Sequence, residues 1–264
     1  MRIAVCVKSV PDPDYYDQII IDPVNKTLKR AGIPAVINAS DKHAIEAALQ
    51  LKEKHGGEIT VISMGPPAVE QQLREALAMG ADEAFLLSDR KVGGADTLAT
   101  SYALSKVIEK TGPYDLILAG NESADGATSH VPSQIGEWLG MGSLCSALSV
   151  DMDGVNFIAT KKFENGTAQF CLSSPCVIAV NQRINKVRLT NMMAILKAKK
   201  KPLTVLSAAD LPDLDEQYIG LSGSPTQNGE LHMVESTKSC TMLEGTEEET
   251  AAMIYDKIKQ FIRE

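Results

Sequence analysis

The sequence lacks the motifs by which the commonest chemistries are recognised. No G-x-G-x-x-G follows its first apolar run and no G-x-x-x-x-G-K-[ST] occurs anywhere, so neither familiar phosphate-binding fingerprint is present. The four histidines, His43, His55, His130 and His232, show no metal-ligand spacing, and there is no G-x-S-x-G elbow. An ordinary hydrolase or zinc enzyme therefore has little support. Cysteine is sparse: Cys6, Cys145, Cys171, Cys176 and Cys240 are odd in number and form no C-x-x-C pair. That argues against a disulfide framework and for a reduced, cytoplasmic chain. Long apolar runs are missing too. Five apolar residues between Arg2 and Lys8 are too few for a signal peptide, and nothing approaches 18, so no membrane insertion is expected. Basic excess is absent as well: 26 Lys and Arg stand against 34 Asp and Glu, a net charge of −8. A general nucleic-acid binder is disfavoured.

What is there reads as a globular chain. Of 264 residues, 44% are hydrophobic and 23% charged, enough for a sizeable core without cross-links. Short apolar runs at residues 3–7, 59–63, 85–87 and 116–119 read as buried strands. Between them lie helical patterns. One starts near Asp41 with Ser40 as N-cap, one follows Gly65-Pro66-Pro67 and stops at Gly80, and one ends at Gly112-Pro113. A fourth covers residues 131–139. Strands alternating with crossover helices predict a doubly wound α/β fold, its mainly parallel sheet covered by helices on both faces.

After Met141 the rhythm changes. Residues 144–150, 155–163, 167–173 and 176–181 read as strands, with turns at Asp153-Gly154 and Asn165-Gly166, and predict an antiparallel extension. Residues 208–245 show little periodicity. Thr246 and Glu249 then form a T-x-x-E capping box opening a helix with Ala251, Ile254, Tyr255, Ile258, Phe261 and Ile262 on one stripe. The expected organisation is an α/β domain over residues 1–207 and, over 208–264, an extended arm with a terminal helix. That arm packs either on another chain or back on its own domain.

In such a sheet, ligands sit beyond the carboxyl ends of the strands where the strand order reverses. The loop at residues 120–131, GNESADGATSHV, leads into a helix. Its small residues admit a ligand, Thr128 and Ser129 offer hydroxyls, and the helix N-terminus favours phosphate. Asp125 could hold a ribose hydroxyl or an amine. A plain capping loop accounts for the composition equally well. Asp96 and Thr97, after Gly94, read first as a helix cap. Between Arg183 and Lys201 stand seven basic residues and no acidic one, around the apolar segment 189–196. That pattern suits docking or a solvated face beside a core helix.

Residues 181–203, NQRINKVRLTNMMAILKAKKKPL, resemble the signature of the β subunit of electron-transfer flavoproteins, with Arg183, Asn185, Arg188, Lys197, Ala198 and Lys199 to Lys201 in place. VKSVPD near the start, the I-N-x-x-D segment ending at Asp41, EALAMGAD at 75–82 and ILAGNESADG at 117–126 line up in order. Ala194 and Met192 depart from the usual Asn and Leu. The resemblance implies a heterodimer with an α subunit carrying its own FAD. Val10-Pro11-Asp12, Asp22-Pro23 with Leu28 and Arg30, and D-G-x-T-x-x-V at 125–131 look like the electron-bifurcating group. Members of that group hold a second FAD in the β subunit, reduced by NADH, where simpler members hold AMP. Gly126, Ala127 and Thr128 stand where AMP-only members tend to carry acidic residues, which removes negative charge beside a pyrophosphate.

Carried over position by position, the resemblance implies a nucleotide site at Cys6, Asn38, Ala39, Ser40, Asp41 and Met64. It continues through Gly120, Asn121, Glu122, Ser123, Ala124, Asp125, Gly126, Ala127, Thr128, Ser129, His130 and Val131. Cys6 and Met64 are expected as apolar walls, and Gly94, Asp96 and Thr97 as further flavin or NAD contacts. No general acid or base is nominated. Docking is expected at Met192, Met193, Ile195, Leu196 and Lys197. The implied partners are the α subunit, a flavin-dependent dehydrogenase of acyl-CoA or 2-hydroxy acid type, and ferredoxin or flavodoxin. The alternative is a non-bifurcating subunit whose AMP is structural.

Overall fold

In a computed structural model the chain is described over residues 1–18, 20–21, 28–29, 32–211, 213–226, 229, 239–259 and 261–262. Asp22, Pro23 and Arg30 of the N-terminal motif lie outside the described residues. The chain forms two units, Met1–Gly229 and Glu230–Glu264.

In chain order the first unit contains β1 (Arg2–Cys6), β2 (Ser9–Pro11), β3 (Ile20–Ile21), β4 (Leu28–Lys29), β5 (Ala35–Ile37), α1 (Ala39–His55), β6 (Glu58–Met64), α2 (Glu70–Met79) and β7 (Glu83–Leu87). It continues with α3 (Thr97–Thr111), β8 (Leu116–Gly120), α4 (Val131–Leu139), β9 (Gly142–Asp153), β10 (Asn156–Phe163), β11 (Gly166–Ser173), β12 (Cys176–Val180), α5 (Met192–Ala198) and β13 (Leu203–Leu206). Nine strands form one sheet in the order β11-β10-β9-β12-β8-β1-β6-β7-β13, and two short antiparallel ribbons, β2–β5 and β3–β4, stand apart from it.

Strands β9, β12, β8, β1, β6, β7 and β13 pair in parallel, and β9, β10 and β11 are antiparallel neighbours. Successive residues of β1 point to opposite faces, and both faces are buried. Ile3 and Val5 join one apolar cluster with α1 and α2, whereas Ala4 and Cys6 join another with α3. This is why the central strands read as unbroken apolar runs. After β1 the chain builds β6 and β7 on one side, and α3 then carries it back to β8 on the other. The strand order therefore reverses between β1 and β8, and the carboxyl ends of those strands mark the binding crevice of such a fold.

The doubly wound α/β architecture and the antiparallel extension are as the sequence predicts. Four details differ. Helix α1 starts at Ala39 with Asn38 at its N-cap, because the Ser40 hydroxyl accepts a hydrogen bond from Gln182 Nε2 instead of capping. Strand β12 is not part of the extension's edge but lies between β8 and β9, parallel to both. Strand β13 at the opposite edge of the sheet was not anticipated, and α5 exposes the apolar residues that a core helix would bury. Within residues 208–226, Ala208, Leu211, Ile219 and Ser224 are buried in the first unit.

In the second unit, α6 (Glu247–Ile258) opens with the reciprocal Thr246–Glu249 capping box read from the sequence. Its apolar residues Met253, Ile254, Tyr255 and Ile258 are exposed. No helix of the described residues is long and apolar enough to cross a membrane.

Candidate functional site

The crevice is built around Asp41, on the first turn of α1. Its Oδ2 accepts the Lys8 amide at 2.7 Å, and its Oδ1 accepts Asn38 Nδ2 at 3.0 Å and the Gly120 amide at 3.1 Å. One carboxylate thus ties together the exit of β1, the start of α1 and the exit of β8. Burial pushes the Asp41 carboxyl up to about 7, against the downward pull of the three donors and the Lys8 charge. Both oxygens are spent on the chain itself, so Asp41 braces the site. Gly120 makes the approach possible: a Cβ there would stand 2.2 Å from Asp41 Oδ1.

Asn38 extends the brace to the loop at 120–131. Its Nδ2 also donates to the Glu122 carbonyl at 2.8 Å, and its Oδ1 accepts the Ala124 amide at 3.1 Å. Lys8 Nζ donates to Asp125 Oδ1 at 2.6 Å and to Ser123 Oγ at 3.2 Å. Asp125 is therefore engaged with a cation. The Ser123 carbonyl accepts the Ala127 amide at 2.8 Å, closing a tight turn around Gly126. Ala127 and Ser129 hold φ of 47° and 58°, a left-handed conformation that costs a residue with a Cβ on the order of 1 kcal/mol. Residues 124–128 are exposed, and the loop feeds α4, whose first turn has no side-chain cap. Its leading amides point out of the helix end, a geometry that favours an anion.

Ser146 and Gln182 enter the site unannounced. Pairing of β9 with β12 shifts register opposite Ile178 and Val180, and Ser146 sits at that irregularity with φ of 61°. Its hydroxyl donates to Asn121 Oδ1 at 2.8 Å. A serine in the left-handed region carries no sequence signal. Lys8 was legible in principle, as the cation that ends the first apolar run and could balance Asp125.

Cys6 lies buried at the end of β1. Burial, with a smaller contribution from Asp41, pushes its thiol up to about 12, so it presents a neutral wall. Met64 is half-buried at the end of β6, in the same cluster as Cys6. Gly94, Asp96 and Thr97 follow β7 instead, which is separated from β8 by the two strands β1 and β6. Asp96 caps α3 through the Leu98 and Ala99 amides, and its other oxygen accepts the Thr226 amide. Its links run to residues 224–226.

The donor set around the 120–131 loop consists of main-chain amides, hydroxyls and one lysine. Among the described residues no group of three or more His, Cys, Asp or Glu could hold a metal ion. Such a set is chemically suited to hydrogen-bonding an anion or hydroxyls and holds no group placed to move protons.

Comparison with known proteins decides the lineage, since residues 26–211 match the electron transfer flavoprotein domain. The chain belongs to the electron transfer flavoprotein family. It is 43% identical over 228 residues to the electron transfer flavoprotein subunit beta of Thermoanaerobacterium thermosaccharolyticum, covering 86% of each chain. Identity to the subunit beta of Clostridium acetobutylicum is 39% over 260 residues, 98% of each chain. Subunit CarD of the caffeyl-CoA reductase-Etf complex of Acetobacterium woodii matches at 37% over 262 residues, again 98% of each. Within the family the chain stands with the β subunits.

The family's basic signature divides in two in this structure. Arg188 grips Glu46 through Nε at 2.7 Å and Nη2 at 3.0 Å, and Glu53 through Nη1 at 2.6 Å, which holds the guanidinium firmly charged. Lys201 Nζ donates to the Leu77 and Ala81 carbonyls at the end of α2. These two are structural. Between them α5, capped by Asn191, buries Ala198 but leaves Met192, Met193, Ile195 and Leu196 exposed, with Met192 at 71%. Lys197, Lys199 and Lys200 are exposed beside them.

Proposed function

We propose that this chain is the β subunit of a heterodimeric, electron-bifurcating electron-transfer flavoprotein that holds FAD at the carboxyl edge between β1 and β8. The observation that carries this reading is the exposed turn at 123–129. It is braced by Asn38 and Lys8 and has Gly126, Ala127 and Thr128 facing outward, with no carboxylate from Gly126 to Val131. A pyrophosphate meets main-chain amides and hydroxyls there, with the charge of Asp125 offset by Lys8 and Glu122 accepting from Ser129 Oγ at 3.3 Å. Cys6 and Met64 wall the ligand, and Asn38 and Asp41 hold the loops around it. Gly94, Asp96 and Thr97 make further flavin or NAD contacts.

The Asn38, Asp41 and 120–131 elements would hold a flavin, which would supply hydride acceptance from NADH and one-electron transfer to ferredoxin or flavodoxin and to the FAD of the α subunit. The chain's own task is to position, exclude water and dock. The arm ending in α6 packs its exposed apolar stripe on the α subunit. Met192, Met193, Ile195, Leu196 and Lys197 meet a flavin-dependent dehydrogenase, of acyl-CoA or 2-hydroxy acid type. Two relatives favour the first: CarD, and the acryloyl-CoA reductase electron transfer subunit gamma of Anaerotignum propionicum, 36% identical over 266 residues. The complex works in the cytoplasm.

Denaturing the purified heterodimer and separating the released nucleotides tests the assignment. Two FAD per heterodimer are expected. One FAD with one AMP would replace bifurcation by the simpler reading, in which AMP is structural.

A further inference from the structure

Three side-chain rungs fasten the segment after β12 to the first two turns of α1, and each joins residues 142 apart in sequence. Gln182 Nε2 donates to Ser40 Oγ at 3.0 Å. Asn185 Nδ2 donates to the His43 carbonyl at 2.9 Å, while its Oδ1 meets His43 Nδ1 at 2.8 Å. Arg188 forks onto Glu46. Residues 40, 43 and 46 follow one face of the helix, so the segment runs alongside α1 in step with it.

The two ends of this ladder reach different places. At its start the Val180 carbonyl accepts the Asn121 amide at 3.0 Å, and Ser40 adjoins Asp41, so the first rung is built into the crevice. At its end Arg188 leads within four residues into α5. The far side of α5 is fixed separately, by Arg74 Nη1 donating to the Ala198 and Lys201 carbonyls. Polar rungs hold a chain in one register only if every rung is made, and their loss frees the segment without opening the apolar core.

We infer that Gln182, Asn185 and Arg188 are positioning residues that couple the nucleotide site to the docking helix, so that a nucleotide ordering the N-terminus of α1 also orders residues 189–198. The inference rests on the nucleotide site proposed above. A ligand seated against Asn38 and the 120–131 loop restrains the first turn of α1, and the ladder passes that restraint to α5. Binding that rigidifies one site lowers the entropic cost of ordering the other, which links nucleotide occupancy to partner affinity.

Hydrogen exchange by mass spectrometry on the full chain, stripped of nucleotide and then saturated with FAD or with AMP, reads both ends at once. In the wild type, nucleotide should slow exchange in the first turn of α1 and, by at least about fivefold, in residues 189–198. In Asn185→Ala and Arg188→Gln, the slowing in α1 should persist while that at 189–198 is lost. Two variants are used because they cut different rungs at half-buried positions clear of the crevice, so a folding defect in one leaves the other readable. Slowing in α1 with none at 189–198 in the wild type would overturn the coupling and leave the nucleotide site standing. Slowing at 189–198 that survives in both variants would overturn the ladder as its route. No response in either segment would overturn the nucleotide site, and the coupling with it.

Discussion

The Gly120 amide and Asp41 Oδ1 lie 3.1 Å apart across 79 residues of sequence, and nothing larger than hydrogen fits on Gly120 at that approach. Gly120→Ala would place a Cβ 2.2 Å from Asp41 Oδ1 and 2.6 Å from Ser40 Cβ. Overpacking of this kind costs about 1–3 kcal/mol. We expect a lower denaturation midpoint together with loss of nucleotide from this subunit. Wild-type stability in the variant would mean that the start of α1 can retreat.

The same carboxyl predicts a pH dependence. Its pKa in the unfolded chain is near the ordinary 3.8 and in the folded chain about 7. Between those values the folded state keeps a proton that the unfolded state has lost. Stability therefore falls as pH rises from 4 to 7, by up to about 1.4 kcal/mol per pH unit, and is flat above. Asp41→Asn removes this term while losing one hydrogen bond at every pH. The stability of the wild type relative to the variant, measured by denaturant titration without nucleotide, should fall steadily from pH 4.5 to 7. A constant gap would show that Asp41 is already ionised.

Removing Arg188 should be costly even though it is partly exposed. Glu46, with 4% of its side chain exposed, would keep a carboxylate with no cation against it. Breaking such a pair costs about 3 kcal/mol, the lower end for buried pairs. Thermal unfolding of Arg188→Ala, compared with the double variant Arg188→Ala/Glu46→Gln, checks the cause. The second change should recover part of the loss.

Met192 should behave in the opposite way. Truncating a side chain this exposed leaves folding stability within about 0.5 kcal/mol of wild type. As an apolar anchor among Lys197, Lys199 and Lys200, it should contribute about 1–3 kcal/mol to partner binding, and the affinity should fall with salt. Titration calorimetry of Met192→Ala with the partner dehydrogenase, beside a melting curve, tests both halves. A lowered melting temperature with unchanged affinity would place Met192 in the fold's own stability.

How far the sequence spoke depended on whether a feature is local. Helix α3 declared itself through Asp96 at one end and Gly112-Pro113 at the other, and α6 through Thr246 and Glu249, because caps are written within four residues. Strand β13 did not, since Leu203–Leu206 has four residues without alternation. The seven residues of α5 left docking and core packing both open inside a run conspicuous for charge. The start of α1 was misplaced by two residues because Ser40 is a good cap by type but spends its hydroxyl on Gln182. For the crevice, the 120–131 loop was legible from its small residues, and its braces were not. Asn38 to Ala124 and Ser146 to Asn121 are tertiary bonds that no window of sequence contains.

Helix α5 is held from both flanks, by Arg188 on one and by Arg74 and Lys201 on the other, while its side chains other than Ala198 contribute little to the core. If this helix docks a partner as proposed, mutations between residues 192 and 197 are screened by what they touch outside the molecule and scarcely by folding. The segment can drift, or be transplanted from a relative between these two clasps, with the scaffold indifferent to the exchange. A new choice of redox partner would then require a handful of surface substitutions and no compensating change in the sheet.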